Sequence, residues 1–538
     1  MEIIIGVVGG LGLFLFGMQI MGTGLQKSAG KRLEKIIALL TKNRFMGVIV
    51  GMAVTAVIQS SSATTVMVVG FVNASIMNLT QAVGIILGAN IGTTITGQIV
   101  SLSIDKIAPL AIGLGMIFYM TAKKDKQKNV AEILIGLGIL FVGMEFLKDA
   151  LKPLSELDAF NEIMVKLSGN PLLGVLIGLM LTFMVQSSSA SIGMLIALAS
   201  QGILPLAVAL PILYGDNIGT CTTALISSIG ASKNAKRAAI IHMVFNLIGT
   251  IIFIVVLSRP ITYLVTSWNP DDVARQIANA HTLFNFTNVI IQFPFAPLLI
   301  KIAMFLVPDK GDEGTKVLTH YIDDRILETP NIALHNTNLE TINMGIRAKD
   351  SFVITMTSLL EHKYSDAAKA VKIEGEINSL EKQITEYLVK LSGCDLMEQD
   401  RKNVDGLFNA VNDIERIGDH CDNICEIINT LDEYDITLPE NSINSLRTMY
   451  KVCYETLDVA LQVIEKPDQD KIQLVMNLEY EMDVLKRDTR KDYFARLHSG
   501  ECDTETGVYY LEIVNNLERI SDLSCNLVKM VVEVTVKV

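Results

Sequence analysis

The sequence predicts an all-α protein in two parts, a polytopic membrane domain followed by a soluble helical domain. Three observations predict it. Half of the 538 residues are hydrophobic, and mean hydropathy is +0.41. The long apolar blocks are confined to residues 1–307. Beyond residue 308 Glu, Asp, Lys and Arg are frequent, and no apolar run reaches the roughly 20 residues a bilayer crossing needs.

The first block, MEIIIGVVGGLGLFLFGMQIMG, has no basic leader, and its first charge is Glu2. It reads as a retained first helix rather than a cleaved signal. Apolar segments follow near 45–58, 64–75, 80–100, 107–122, 130–150, 171–185, 190–202, 204–230, 238–258 and 281–307. Four of them, 45–58, 64–75, 171–185 and 190–202, are too short to cross and flank two copies of Gln-Ser-Ser-Ser-Ala, at 59–63 and 186–190. A short apolar piece, a polar turn and a second short piece suggest a re-entrant helical hairpin, tolerated where protein or water covers the turn.

Lys and Arg cluster at 27–44, 123–128 and 233–237, which the positive-inside rule places in the cytoplasm. The gaps at 101–106, 151–170 and 259–280 are poorer in both, and Tyr263 and Trp268 read there as interfacial anchors. The first helix then enters from outside. The first hairpin dips in from the cytoplasm and the second from outside, and the C-terminal domain is cytoplasmic. The chain is expected in the cytoplasmic membrane as a multi-pass protein with the lipid bilayer as its surroundings.

The membrane domain, residues 1–307, is internally repeated, with halves at about 1–125 and 126–250 and a final helical region at 281–307. An offset of 127 carries Gln59 to Gln186, Asn90 to Asn217, Gly92 to Gly219 and Thr93 to Thr220. It also carries Asn43 to Asn170, Gly47 to Gly174 and Gly51 to Gly178, and an offset of 126 carries Gly17-Met18 to Gly143-Met144. Three crossings separate equivalent helices, so the halves are expected to be inverted repeats, a transporter design.

Gln59, Ser60, Ser61, Ser62 and Gln186, Ser187, Ser188, Ser189 are costly in a membrane unless paired. Their hydroxyls suit an anion as donors and Na+ as oxygen ligands. Hairpin tips add helix ends, whose free amides favour an anion. No Lys or Arg lies in either motif, so a bound anion would be neutralised by dipoles, hydroxyls and co-bound cations. Helix packing is the better account of a single, isolated Ser-Ser-Ser run. Two runs in register, each followed by Asn-Ile-Gly-Thr, favour a site. Asp216, where the first half has Ala89, is a secondary candidate for cation binding or pH sensitivity. For His242, Asn246, His281 and Asn285 helix-to-helix hydrogen bonding is the default.

Residues 308–330 read as a linker and 331–538 as amphipathic helices, as in SLEKQITEYLVKL at 379–391. NDIERIGD (412–419) recurs as NNLERISD (515–522). Glu415 with Asp419, and Glu518 with Asp522, each share a helix face at i,i+4. Two such helices meeting would offer four carboxylates to a cation; a solvated face with local ion pairs is the plainer alternative. Net charge is −12, which argues against nucleic acid as a partner. Six of the seven cysteines lie in this domain without C-x-x-C spacing, which fits a reducing compartment. No P-loop is present and no serine has an evident base, so no enzyme activity is expected.

The paired QSSSA motifs, GANIGTTIT (88–96) and GDNIGTCTT (215–223), resemble the type II sodium-dependent phosphate cotransporter family over about residues 1–307. That resemblance implies Na+-coupled symport of inorganic phosphate by alternating access, with the two QSSS tips facing each other around the substrate. Asn90, Thr93, Asn217 and Thr220 become supporting ligands. Cys221 replaces Thr94, so that position need not act symmetrically. The C-terminal part resembles the phosphate-regulatory PhoU family, helical bundles in tandem. It implies iron or zinc at Glu415, Asp419, Glu518 and Asp522, and a regulatory role with a second copy or another protein as partner. Phosphate export, and phosphate sensing through the tail, are the rival functions.

Overall fold

The first apolar run forms one helix, α1 (Glu2–Ala29). The computed structural model describes residues 2–29, 43–74, 76–102, 107–153, 158–308, 319–500 and 504–536. Lys31, Arg32, Lys35 and Lys42 of the first basic cluster, most of the 308–314 linker and Cys502 lie outside them. Every element described is helical. The chain forms two compact units, residues 1–313 and 314–538.

In the first unit the repeat is carried element by element. Asn43 caps α2 (Arg44–Ile58), its side chain accepting from the Met46 amide. A break at Gln59-Ser60 leads into α3 (Ser61–Asn73), then α4 (Leu79–Gly92) and α5 (Thr94–Val100). After α6 (Ala108–Thr121), α7 (Asp125–Leu151) and α8 (Asp158–Ser168), the pattern returns. Asn170 caps α9 (Pro171–Val185), Gln186-Ser187 breaks the chain, and α10 (Ser188–Ser200), α11 (Leu206–Gly219) and α12 (Cys221–Ser227) follow. Each boundary from α2 to α5 reappears 127 residues later.

Glycines set the packing inside each half. A Cβ at Gly51 would land on the Ile85 carbonyl, and one at Gly178 on the Ile212 carbonyl. So α2 lies against α4, and α9 against α11, at backbone contact. Between the halves, α1 and α7 run antiparallel, from Gly6 beside Ala150 to Gly24 beside Asn129. Gly10 packs on Leu147 and Gly136 on Met21; Gly17 packs on Leu140 and Gly143 on Phe14. Shifting by 126 turns each contact into its partner, the signature of a two-fold relation between antiparallel helices.

Five stretches are long and apolar enough to cross a membrane: Ile3–Ala29, Leu79–Val100, Asp125–Leu151, Lys233–Trp268 and Val273–Leu306. The last two correct the sequence reading, which ended one helix near 258 and began the next near 281. The helix α13 (Lys233–Ile252) passes through a π turn at Phe253–Leu257 into α14 (Ser258–Trp268). Pro260 cannot donate a backbone hydrogen bond, and the π turn just before it absorbs that loss. Asp272 caps α15 (Val273–Gln292), which continues through a 3-10 turn into α16 (Ala296–Leu306). Tyr263 and Trp268 are exposed along α14.

In the second unit, α17 (Pro330–Leu360), α18 (Ala367–Ser392) and α19 (Glu398–Glu433) pack together. So do α20 (Glu440–Glu465), α21 (Gln469–Ser499) and α22 (Thr504–Val536). The two triplets join through α19 against α22 and α17 against α20.

Candidate functional site

Each QSSS motif is a helix end followed at once by a helix start. Gln59 ends α2 with φ 61°, and Gln186 ends α9 with φ 58°. This left-handed conformation is uncommon for a residue with a Cβ and marks a turn held by its surroundings. The holding contacts repeat. Thr96 Oγ1 donates to Gln59 Oε1 at 2.8 Å, and Thr223 Oγ1 to Gln186 Oε1 at 3.3 Å. Each glutamine amide donates back to a carbonyl three residues earlier, Ala56 and Phe183.

Ser60 and Ser187 then cap α3 and α10. Their hydroxyls accept from the amides of Ala63 (3.1 Å) and Ala190 (3.2 Å). The earlier amides of each helix have no carbonyl within it to bond. Both N-termini open on one cavity of about 210 Å³. Its lining is Gln59, Ser60, Ser61 and Ser62 from one tip, Gln186, Ser187, Ser188 and Ser189 from the other, and Leu15, Met18 and Gln19 of α1. Among the described residues no Lys or Arg is in that lining. The structure therefore brings together all eight QSSS residues. It also adds a wall from α1 that sequence reasoning missed; Gln19, a lone amide in the first apolar run, was the available signal.

Asn90, Thr93, Asn217 and Thr220 are buried but are not in the lining. Asn90 Nδ2 donates to the Ile86 carbonyl and Asn217 Nδ2 to that of Leu213, both at 2.8 Å. Thr220 Oγ1 donates to the Asp216 carbonyl at 3.0 Å. They sit at the junctions of α4 with α5 and of α11 with α12. Asp216 is fully buried, and its carboxylate accepts from Thr182 Oγ1. Asn246 donates across to Cys221 Sγ of α12 at 3.3 Å, as expected for a helix-to-helix bond, as well as to the His242 carbonyl; Asn285 donates to the His281 carbonyl in its own helix. The imidazole nitrogens of both histidines find no hydrogen-bond partner among the described residues, contrary to the helix-to-helix expectation.

In the second unit Glu518 and Asp522 join Asp483 of α21, with ligand oxygens within 4.8 Å of one another. Among the described residues Glu415 and Asp419 belong to no such trio, so the four carboxylates do not form the one cluster the sequence suggested. Burial, then the nearby Glu518, Asp483 and Glu479, push the Asp522 carboxyl above its usual range. Burial, then Asp419, Glu381 and Glu374, do the same to Glu415. Lys486 Nζ holds Glu518 at 2.7 Å. His420 pairs with Asn516 at 2.8 Å, which makes it a contact between α19 and α22.

Half-length hairpins meeting tip to tip at a polar cavity, in a unit of membrane-length helices, define a membrane transport protein. The Na+/Pi-cotransporter family model matches the chain twice, over residues 13–149 and 143–266, and the PhoU domain model matches 341–428 and 446–531. The chain belongs to the Na+/Pi-cotransporter family and carries two PhoU domains after its membrane unit. It is 24% identical over 523 residues to the "Putative inorganic phosphate export protein YjbB" of Salmonella typhimurium, covering 97% of this chain and 96% of that one. The uncharacterized protein YqeW of Bacillus subtilis is 30% identical over 297 residues, 55% of this chain and 96% of its own. Human sodium-dependent phosphate transport protein 2B is 36% identical over 98 residues, 18% of this chain and 14% of its own.

Proposed function

We propose that the chain carries inorganic phosphate with Na+ across the cytoplasmic membrane by alternating access, under control of its PhoU domains. The observation that carries this reading is the single cavity built from both QSSS tips. Two helix N-termini and serine hydroxyls there offer donors to phosphate. Among the described residues the lining holds no fixed positive charge, so co-bound Na+ would offset the anion's desolvation, which makes coupling obligatory. Asn90, Thr93, Asn217 and Thr220 would support the site from the adjacent helix junctions.

The exchange of glycine contacts between α1 and α7 supports inverted halves, and inverted halves support two states related by symmetry. With the basic segments inside, the PhoU domains lie in the cytoplasm. Asp483, Glu518 and Asp522 then offer a divalent-metal site, and Glu415 with Asp419 a weaker counterpart. The bundle faces would receive a second copy or a regulatory protein.

Net export is the second reading. The relatives aligned along nearly the whole chain, tail included, are named for phosphate export, whereas the sodium-dependent relatives align over 98 to 120 residues. Gradients set direction in such a fold, so both readings share one site. Labelled phosphate movement in proteoliposomes, with Na+ inside, outside or replaced by choline, tests both. Flux indifferent to Na+ sinks the coupling, and binding without flux would make the protein a sensor.

A further inference from the structure

The cavity is two-fold in its tips and one-sided in its wall. Leu15, Met18 and Gln19 line it from α1. The residues 126 positions later on α7 are Phe141, Met144 and Glu145. They do not line it. Phe141 and Met144 are packed away at 1% and 0% exposure, whereas Leu15 and Met18 are partly open. Yet the backbone contacts of α1 and α7 interchange under the same offset. The helices are thus related by symmetry, and their access to the cavity is not.

We propose that α1 and α7 take turns as the cavity wall: Gln19 faces the bound anion in this state, and Glu145 faces it in the opposite-facing one. This rests on the alternating-access reading above. Glu145, like Gln19, is exposed here, but it lies outside the lining. A two-fold-related pair of helices has a second arrangement of equal packing, in which Phe141 and Met144 open to the cavity, Leu15 and Met18 pack away, and Glu145 takes the place of Gln19 in the wall. Gln19 lies eight residues before Lys27, about 12 Å along the helix from the basic, cytoplasmic end. Glu145 lies near the end of α7, which is antiparallel to α1. The amide therefore belongs to the inward-open state and the carboxylate to the outward-open one.

The two walls differ in chemistry. A Gln amide both donates and accepts, and can bond a phosphate oxygen directly. A Glu carboxylate accepts only, repels an anion and attracts Na+. The outward-open site would then load Na+ before phosphate, and the inward-open site would hold its cation less tightly. The equivalence of Gln19 and Glu145 in position thus gives the cycle a polarity that the identical tips cannot supply.

The test is sidedness of labelling on the full chain in oriented vesicles, with a membrane-impermeant maleimide. Gln19→Cys is expected to react from the cytoplasmic face and Glu145→Cys from the outer face. Adding Na+ and phosphate should shift the two rates in opposite directions, by about threefold for a near-balanced equilibrium. Met18→Cys and Met144→Cys, nearer in size to the native residues, provide a second pair if the first is poorly expressed. Labelling of both partners from one face, or ligand shifts of the same sign, overturns the proposal. Absence of Na+-dependent flux in the unmodified protein would instead overturn the transport reading, while the faces labelled would still decide whether the walls alternate.

Discussion

The hydroxyl of Thr182 donates to the carboxylate of Asp216 in the core of the second half, where the equivalent Thr55 donates to Thr64 at 2.9 Å. Ala89 stands where Asp216 would be in the first half, so the two threonines of that half meet directly. In the second half a carboxylate occupies that space. Among the described residues Thr182 is its hydrogen-bond partner; its second oxygen finds none, and no basic group pairs with it. A carboxylate so placed in a membrane is costly unless a cation offsets it. Asp216→Ala restores the first-half arrangement and should leave the fold intact. We expect the Na+ concentration for half-maximal flux to rise about tenfold, equivalent to about 1.4 kcal/mol. An unchanged Na+ titration would make Asp216 a packing residue.

Ser61 and Ser188 open α3 and α10 and are nearly buried against the cavity. Removing one hydroxyl leaves its helix N-terminus in place and takes away one donor, a loss of about 1.5–3 kcal/mol for a bond to a charged group. Ser61→Ala and Ser188→Ala should each weaken phosphate flux about tenfold or more. The double variant should lose it, measured as labelled phosphate uptake at fixed Na+. Retention of flux by the double variant would refute the tip-to-tip site.

The membrane site was legible because its chemistry is repeated almost letter for letter: QSSSA, the following NIGT and their common offset stand in the sequence. Gln19 was not legible. Which side of α1 meets the tips depends on where Gly10 and Gly17 let α7 approach, and one apolar helix carries no record of that. The continuation of α13 into α14 was hidden because the apolar run ends at 258, before Arg259 and Pro260, which the π turn accommodates within a continuing helix. The acidic trio was half legible. Glu518 and Asp522 repeat an earlier motif, while Asp483 comes from another helix with no repeated sequence to mark it.

Gly178 is expected to be among the least replaceable positions of the membrane unit. Its missing Cβ is where the Ile212 carbonyl lies, and a main-chain atom cannot rotate aside. Gly178→Ala must part α9 from α11, at a cost of about 1–3 kcal/mol or more for overpacking. Gly12→Ala, with nothing within 4 Å of the new methyl, is the control. Thermal unfolding in detergent should show a lower midpoint for the first and none of that loss for the second.

The acidic trio predicts opposite pH responses with and without metal. The raised carboxyl of Asp522 means that the folded domain holds more protons than the unfolded chain just above the ordinary Asp range. Metal-free stability therefore falls as pH rises through that raised value. A divalent cation needs the carboxylates ionised, so its binding, and the stability it adds, grows over the same rise. Calorimetry of the full chain should show zinc or iron raising the PhoU-domain transition more at pH 7 than at pH 5. Glu518→Gln with Asp522→Asn should abolish the metal response and flatten the metal-free pH dependence, because the buried carboxyl that titrates above its usual range is replaced by an amide that does not. Lys486→Met, which frees Glu518 from its 2.7 Å ion pair, should strengthen metal binding. If it weakens binding instead, the lysine organises the trio rather than competing with the ion.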